Sequence, residues 1–159
     1  MNSRLENQLT RFLCGRVCVL GIGNRHRRDD GAGSLIAEAL ESCPGLNTVN
    51  AGWVPENHFG TVARLDPDSI LMIDAADFGG QPGQVRLLDP DAVTCSGLST
   101  HTASLQMLAG YLRARTKARV ALLAVQPADT GPGESLSPEV ALTVRDLQEE
   151  LPAICRRTH

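Results

Sequence analysis

Residues 16–40 read RVCVLGIGNRHRRDDGAGSLIAEAL, and this stretch decides the fold that the sequence predicts. The apolar run from Val17 to Leu20 stops at Gly21, as expected for a short strand buried on both faces of a parallel sheet. A polar loop follows over 24–31, and apolar residues then recur at helical spacing over 35–40. The stretch therefore predicts a strand, a loop and a helix in succession, which together begin an α/β fold.

The same alternation of strands and helices continues along the rest of the chain. The predicted elements are a brief strand over 47–50, a helix over 55–65, a central buried strand over 69–74, a strand over 84–88, a helix over 103–116, a buried strand over 119–125 and a helix over 138–151 with Ser137 as its N-cap. The connection from 74 to 84 is too short for a crossover helix, so an antiparallel edge position is open to the strand over 84–88. The pattern predicts a three-layer α/β/α sandwich with a mostly parallel, twisted sheet of about five strands.

The chain has 159 residues, which fits a single domain of ordinary size. We place one α/β domain at 16–159 and an N-terminal extension at 1–15. The extension is polar with scattered leucines, and its sequence is compatible with a short helix or with a loose segment.

Composition excludes several classes of protein. The formal net charge is −3, so no global positive field exists to attract nucleic acid or anionic lipid. The apolar runs are far shorter than a membrane span and the polar start lacks a signal-peptide core, so we expect a cytoplasmic protein. The five cysteines form no CxxC pair, which argues against a disulfide framework or a zinc knuckle.

Polar residues stand at three places where loops leave the C-terminal ends of predicted strands. They are Asp29 and Asp30, Asp74 with Asp77, and the segment 99–101, which ends in His101. Ligands bind at this edge in open parallel sheets. Because Asp74 ends an apolar strand, its carboxylate needs a cationic partner if it is buried. Asp30, Asp74 and His101 can converge on one divalent transition-metal ion, which accepts two carboxylates and an imidazole.

Each of these residues also has a structural interpretation. Asp29 or Asp30 is a candidate cap for the following helix. Asp74 can hydrogen-bond loop amides, and a histidine near a helix start is often structural, as His101 can be. The cationic loop at 25–28 either grips the carboxyl end of a peptide or is simply solvated.

A nucleotide site is a second hypothesis, since Gly21-Ile22-Gly23 after a first strand is similar to the opening of a dinucleotide fingerprint. The third glycine of that fingerprint would fall at His26, and the second strand ends in Asn50 instead of an acid that binds ribose. Covalent catalysis is also poorly supported, because no serine lies in a G-x-S-x-G turn. The residues favour neither an organic cofactor nor an acyl-enzyme.

Several motifs, in this order, are typical of one family. They are Gly21-Ile22-Gly23-Asn24, Asp29-Asp30-Gly31-Ala32-Gly33, Pro55-Glu56-Asn57, Asp74-Ala75-Ala76-Asp77, Pro82-Gly83, Ser99-Thr100-His101 and Gln126-Pro127. With them the chain resembles the [NiFe]-hydrogenase maturation proteases from Val17 onward, and most closely the formate-hydrogenlyase type. The match across all the motifs is far more specific than any one of them.

The resemblance implies an aspartate- and metal-dependent endopeptidase that acts as a monomer. Its implied substrate is the nickel-loaded precursor of a [NiFe]-hydrogenase large subunit, which loses a short C-terminal extension; nickel is then carried by the precursor, and no organic cofactor is needed. The residues that match the family's metal-binding and catalytic positions are Asp30, Asp74 and His101, and those of the supporting loops are Gly23, Asn24, Asp29, Gly31 and Asp77.

Two positions depart from the family pattern. Asn50-Ala51-Gly52 stands where the family has D-G-G, and His26 replaces an apolar residue. The missing acid puts substrate selectivity or activity in question, so a non-catalytic chaperone of the same fold is an alternative to the protease.

Overall fold

The structure, a computed structural model, describes residues 2–92 and 102–157, apart from the side chains of 102–104. The strands are β1 (Val17–Ile22), β2 (Asn47–Gly52), β3 (Ser69–Ala75), β4 (Val85–Leu88) and β5 (Arg119–Val125), and the α-helices are α1 (Ser3–Phe12), α2 (Ala32–Leu40), α3 (Phe59–Arg64), α4 (Thr102–Thr116) and α5 (Pro138–Arg157). Short 3-10 turns lie at Arg28–Gly31, Pro55–His58 and Pro90–Ala92.

The five strands form one sheet in the order β2-β1-β3-β5-β4. β1 pairs in parallel with β2 and β3, and β3 pairs in parallel with β5. β4 pairs antiparallel with β5 at the edge. The predicted mostly parallel sheet with an antiparallel edge strand is therefore confirmed.

Helices cover both faces of the sheet, which gives the predicted three layers. On one face Val19, Leu71 and Leu123 pack with buried residues of α1, α2 and α5. On the other face Leu20 and Met72 pack with buried residues of α3 and α4. Every residue of β1 is buried, because side chains alternate between two covered faces.

Two helices differ from their predicted extents. The helix predicted over 55–65 begins as the 3-10 turn Pro55–His58 and is α-helical only from Phe59. The last helix passes through Pro152 and ends at Arg157 instead of at 151, because buried Ile154 and Cys155 extend its apolar face and proline removes only one backbone donor. Of the described helices, none is long and apolar enough to cross a membrane.

The N-terminal segment is a helix that belongs to the packed core. Asn2 caps α1 by accepting a hydrogen bond from the N–H of Leu5, at 2.8 Å. Leu5, Leu9 and Leu13 are buried against the same cluster that contains α2 and α5. Of the two options that the sequence left open for residues 1–15, the structure shows the helix.

Replacing Leu9 by alanine is expected to lower the free energy of unfolding by about 2–5 kcal/mol. Leu9 is fully buried, so the shorter side chain leaves a cavity beneath α1. Asn7→Ala, on the exposed side of the same helix, is the matched control and should change stability by no more than about 0.5 kcal/mol. Denaturant unfolding measures both, and equal midpoints would show that α1 does not stabilise the fold.

Candidate functional site

The C-terminal ends of β1, β3 and β5 lie side by side at one edge of the sheet. Three loops leave this edge, over 23–31, 76–84 and 126–137. The N–H of Ala76 donates to the carbonyl oxygen of Val125 at 3.0 Å, which joins the second loop to the end of β5. All four aspartates that the sequence marked lie on these loops or at the end of β3.

Two glycines let the start of α2 pack directly on the strand ends. Gly23 has a φ of +150°, and a Cβ on it would lie 1.9 Å from the carbonyl oxygen of Asp30. A Cβ on Gly33 would lie 2.1 Å from the carbonyl oxygen of Ile73. A larger residue at either position would push the helix away from the strands. This close approach places Asp30 beside Asp74, the residue that follows Ile73.

Asp74 and Asp30 form a pair of interacting carboxyl groups. Asp74 is only 4% exposed, and burial raises the pKa of its carboxyl well above the ordinary value. The nearby charge of Asp30 raises that pKa further, and a hydrogen bond from the N–H of Ala75 offsets part of the rise. Asp30 is half-buried and accepts a hydrogen bond from the N–H of Asn24 at 3.2 Å. Asp74 therefore resists ionisation, and a cation bound to both groups would relieve the repulsion.

His101, the third residue of the predicted metal site, lies outside the described residues. So do Ser99 and Thr100, while α4 begins at Thr102. Over 2–92 and 102–157, no three His, Cys, Asp or Glu side chains are placed to hold a metal ion. The structure brings together two of the three predicted residues, and the complete metal site stays a prediction.

Asp29 is fully buried and anchors the loop at 126–137. Its carboxylate accepts hydrogen bonds from the N–H groups of Ala128 (2.8 Å), Asp129 (2.9 Å) and Ser137 (2.7 Å) and from the hydroxyl of Ser137 (2.8 Å). Burial raises the pKa of Asp29, but these hydrogen bonds outweigh it, so the pKa lies below the ordinary value. The N-cap position of α2 is Gly31, without a side-chain cap. The predicted aspartate cap is therefore wrong, because the carboxylate binds the distant loop instead.

Ser137 lies directly before α5, as predicted for its N-cap. Its carbonyl oxygen accepts a hydrogen bond from the N–H of Ala141 at 2.8 Å. The hydroxyl donates to Asp29. Ser137 therefore connects the start of the last helix to the loop after β1.

Gln126 connects the loops that follow β3 and β5. This buried side chain accepts hydrogen bonds from the N–H groups of Phe78 and Gly80, both at 3.0 Å, and donates to Oδ1 of Asp77 at 3.1 Å. Asp77 is exposed, and hydrogen bonds from Gly79 and Gln126 lower the pKa of its carboxyl. The sequence did not predict this role for Gln126, although a polar residue directly after a fully apolar strand was a signal for it.

The cationic loop at 25–28 binds the protein's own surface. The partners are Glu38 for Arg25, Glu134 for His26, the carbonyl oxygen of Thr130 for Arg27, and Asp129 with the carbonyl oxygen of Pro132 for Arg28. Backbone bonds reinforce these contacts, since Arg28 donates to Gly133 at 2.8 Å and Gly133 donates to His26 at 2.9 Å. The loop thus fastens 126–137 in place, a role that neither of the two predicted options included.

Asn50 occupies the position at which the family pattern has an acid. Its Oδ1 accepts hydrogen bonds from the hydroxyl of Ser34 at 2.9 Å and from the N–H of Gly52 at 3.3 Å. Arg25 in turn donates to Oγ of Ser34 at 3.2 Å. Asn50 therefore joins the end of β2 to the start of α2.

The start of α2 is a poor site for a nucleotide phosphate. Asp29 and Asp30 lie in the turn immediately before the helix, and their charges oppose an anion that the helix dipole would attract. The backbone of Gly23 is already in contact with Asp30, so the glycine loop does not form a phosphate cradle. These contacts argue against the nucleotide hypothesis.

Comparison with known proteins points to one family. Residues 34–153 match the family model HycI, described as hydrogenase maturation protease. Hydrogenase 3 maturation protease of Escherichia coli strain K12 is 35% identical over 112 residues, which cover 69% of this chain and 71% of that protein. The crystal structure of the [NiFe] hydrogenase maturation protease HycI from Thermococcus kodakarensis KOD1 matches with a TM-score of 0.85 at 32% identity, over 94% of this chain and 99% of that one. The hydrogenase maturating endopeptidase HybD from E. coli matches with a TM-score of 0.74 at 26% identity, over 91% and 94%.

Asp29→Ala is expected to lower the free energy of unfolding at neutral pH by about 1–3 kcal/mol, because buried donors lose their acceptor. The pKa of Asp29 is lower in the folded than in the unfolded state. Its contribution is therefore complete above about pH 4 and disappears as the pH falls through the folded-state pKa. Asp146→Ala, at an exposed position of α5, is the control. Denaturant unfolding across this pH range should show the two variants converging in acid, and a constant gap would contradict the role of ionised Asp29.

Asp74→Asn is expected to stabilise the fold at neutral pH. The raised pKa means that the carboxyl of Asp74 holds its proton more tightly in the folded state than in the unfolded state. The wild-type protein therefore loses stability as the pH rises from about 4 toward the folded-state pKa of Asp74. A neutral amide avoids that loss. Asp77→Asn should instead lower the stability of the fold at neutral pH, because the folded-state pKa of Asp77 is lowered. Thermal unfolding between pH 4 and pH 8 compares them, and a destabilised Asp74→Asn would contradict the strain assigned to this carboxylate.

Proposed function

This chain belongs to the hydrogenase maturation protease family and is therefore a peptidase, and we propose that it removes the C-terminal extension of a nickel-loaded [NiFe]-hydrogenase large-subunit precursor. The observation that carries the proposal is the interacting pair of Asp30 and buried Asp74 at the C-terminal edge of the sheet. The precursor is the partner, and nickel arrives with it as cargo. We propose that the protease acts as a monomer in the cytoplasm.

Nickel recognition follows from the electrostatics of the carboxyl pair. Two neighbouring carboxylates, one of them the buried Asp74, gain free energy when a divalent cation binds both. His101 would add an imidazole, which suits a divalent transition metal. A precursor without nickel leaves the repulsion unrelieved, so cleavage would be coupled to completed metal insertion.

Cleavage is proposed to use a water molecule as the nucleophile. Asp30 or Asp74 accepts a proton from the water, whose oxygen bonds to the carbonyl carbon of the scissile peptide; the C–N bond then breaks and the proton passes to the leaving amine. The raised pKa of Asp74 suits that carboxyl group to both steps. The precursor's nickel beside the scissile bond would stabilise the developing negative charge. No acyl-enzyme forms in this scheme.

Hydrogen bonds between the surrounding loops support the pair. Asp29 binds the loop at 126–137, and Gln126 binds the loop after β3. Hydrogen bonds therefore join the loops that follow β1, β3 and β5 at the end of the sheet where Asp74 lies. Gly23 and Gly31 lie in the loop that carries Asp30, and the N–H of Asn24 orients the Asp30 carboxylate. These residues position the acids and are proposed to have no direct contact with the scissile bond.

The proposal is tested by incubating the purified protein with the large-subunit precursor, with and without nickel, and following the mass of the precursor. A single C-terminal truncation that requires nickel is expected. Stable binding of the precursor without truncation would instead support the chaperone alternative. Thermal stabilisation by a nucleotide, with no effect on the precursor, would support a nucleotide-binding domain.

Single replacements test the assigned residues. Asp30→Asn, Asp74→Asn and His101→Ala should each reduce the rate of truncation by about 100-fold or more while the protein stays folded. Asp66→Asn is the control, because Asp66 is exposed and lies just before β3, at the opposite edge of the sheet. Truncation at the wild-type rate by all three site variants would refute the site assignment.

A further inference from the structure

A groove runs along the outer side of β4, the edge strand of the sheet that carries Asp74. Within the described chain, β4 is the edge strand and α1 packs beside it. The groove has a volume of about 430 Å³. Its lining includes Arg4 of α1 and Val85, Arg86 and Leu87 of β4. Nothing in the proposed cleavage mechanism uses it.

The backbone of β4 offers hydrogen-bonding groups to this groove. The N–H of Gln126 donates to the carbonyl oxygen of Gln84 at 2.8 Å, which sets the register of the pairing with β5. Backbone groups in an antiparallel pair alternate in direction, so those of Arg86 face β5 and those of Val85 and Leu87 face outward. In the part of the chain that the structure describes, no other strand pairs with these outward groups.

The groove is positively charged. Arg4 and Arg86 are its charged lining residues, although the whole chain has a net charge of −3. The guanidinium of Arg86 lies over the ring of Phe78, 4.7 Å from its centre, which restrains the charge beside the edge. Because of these two arginines, the strand edge suits a segment with acidic side chains or a terminal carboxylate. A smaller adjoining cavity of about 270 Å³ has Asp146 on its wall and lacks this positive charge.

A second copy of the chain is a poorer fit to the same edge. If two β4 strands paired about a two-fold axis, Arg4 and Arg86 of both copies would meet across the new contact. Like charges placed opposite each other destabilise a strand pair. An acidic peptide gains from the same two side chains.

The groove is within reach of the carboxyl pair. β4 runs antiparallel to β5, so its first residue, Val85, pairs with Val125, the last residue of β5. Val85 therefore lies at the same end of the sheet as the carboxyl pair. Asp74 pairs with Ala124, and Ala124 pairs with Arg86. Strands are about 4.8 Å apart, so a strand added beyond β4 would lie about 14 Å from β3, a distance that four to five extended residues span, at roughly 3.3 Å each.

We propose that β4 and α1 form a binding groove for an extended, acidic segment of the C-terminal extension of the precursor, which adds to the sheet as a sixth strand. Main-chain hydrogen bonds to Val85 and Leu87 supply affinity, and the two arginines select acidic residues. This inference rests on the proposed function for the identity of the peptide. The groove would hold the segment to be removed while the scissile bond lies at the carboxyl pair.

The direct test compares Val85→Pro with Val85→Ala. Proline removes the outward N–H at the first residue of an edge strand, where it is tolerated, and alanine removes the side chain but keeps the N–H. The probe is a fluorescent synthetic peptide with the sequence of the precursor's C-terminal extension, and its anisotropy reports binding. Val85→Pro should weaken binding about 10-fold or more relative to Val85→Ala. Equal affinities of two folded variants would overturn the proposal.

A peptide scan keeps the proposal testable if Val85→Pro does not fold. Peptides carrying one N-methyl group each, at successive positions, are bound to the wild-type protein. Strand addition predicts that methylation weakens binding at every second residue, since only alternate N–H groups face β4. Arg86→Glu should also weaken binding and reduce its dependence on salt. No binding of the peptide, or a scan without a period of two, would overturn the proposal.

Two further results separate this inference from the proposed function. Normal truncation by Val85→Pro with an unchanged KM would overturn the proposed role of the groove and leave the proposed protease activity unaffected. Peptide binding with a period of two, but no truncation of the precursor, would support the groove and refute the proposed cleavage. Light scattering is expected to show a monomer, and a dimer abolished by Val85→Pro would assign the edge to a second copy.

Discussion

The contact of α2 with the ends of β1 and β3 is the constraint on which the site depends. Gly23 and Gly33 leave no space for a Cβ, so the backbone of the helix start touches the strand carbonyls directly. That contact determines where Asp30 lies, and it brings this charge close enough to raise the pKa of Asp74. The carboxyl pair is thus a consequence of backbone packing.

Burying Asp74 beside Asp30 costs free energy. Hydrogen bonds hold the loops around the pair. Asp29 accepts four of them from 126–137, and Gln126 makes three across to the loop after β3. A site under electrostatic strain is therefore embedded in a polar network with satisfied donors and acceptors.

Periodicity predicted the fold well, and it failed where a residue's partner is distant in sequence. β5 has the predicted bounds 119–125, because an apolar run between polar ends is a local signal. Asp74 was found for the same reason, since it ends such a run. Asp29 was a candidate helix cap, a local role, and a supporting-loop residue by resemblance. Its partners lie about a hundred residues away, and no local pattern encodes them. The extension of α5 past Pro152 was not predicted, because proline usually ends a helix, although Ile154 continues the apolar spacing of Leu147 and Leu151.

The topology explains why the open strand edge and the carboxyl pair belong to one surface. The connection from β3 to β4 is too short to cross the sheet with a helix, so the chain turns back and β4 runs antiparallel. A crossover helix would have made β4 parallel to the other strands. β4 would then start at the end of the sheet that lies opposite the carboxyl pair. Because of the reversal, β4 starts beside the end of β5, and only β5 separates it from β3, which carries Asp74. Within the described residues, no strand pairs with the outer backbone of β4. The loop that carries Asp77 therefore links the two features, and an extended chain leaving the carboxyl pair meets the free edge of β4 after only a few residues.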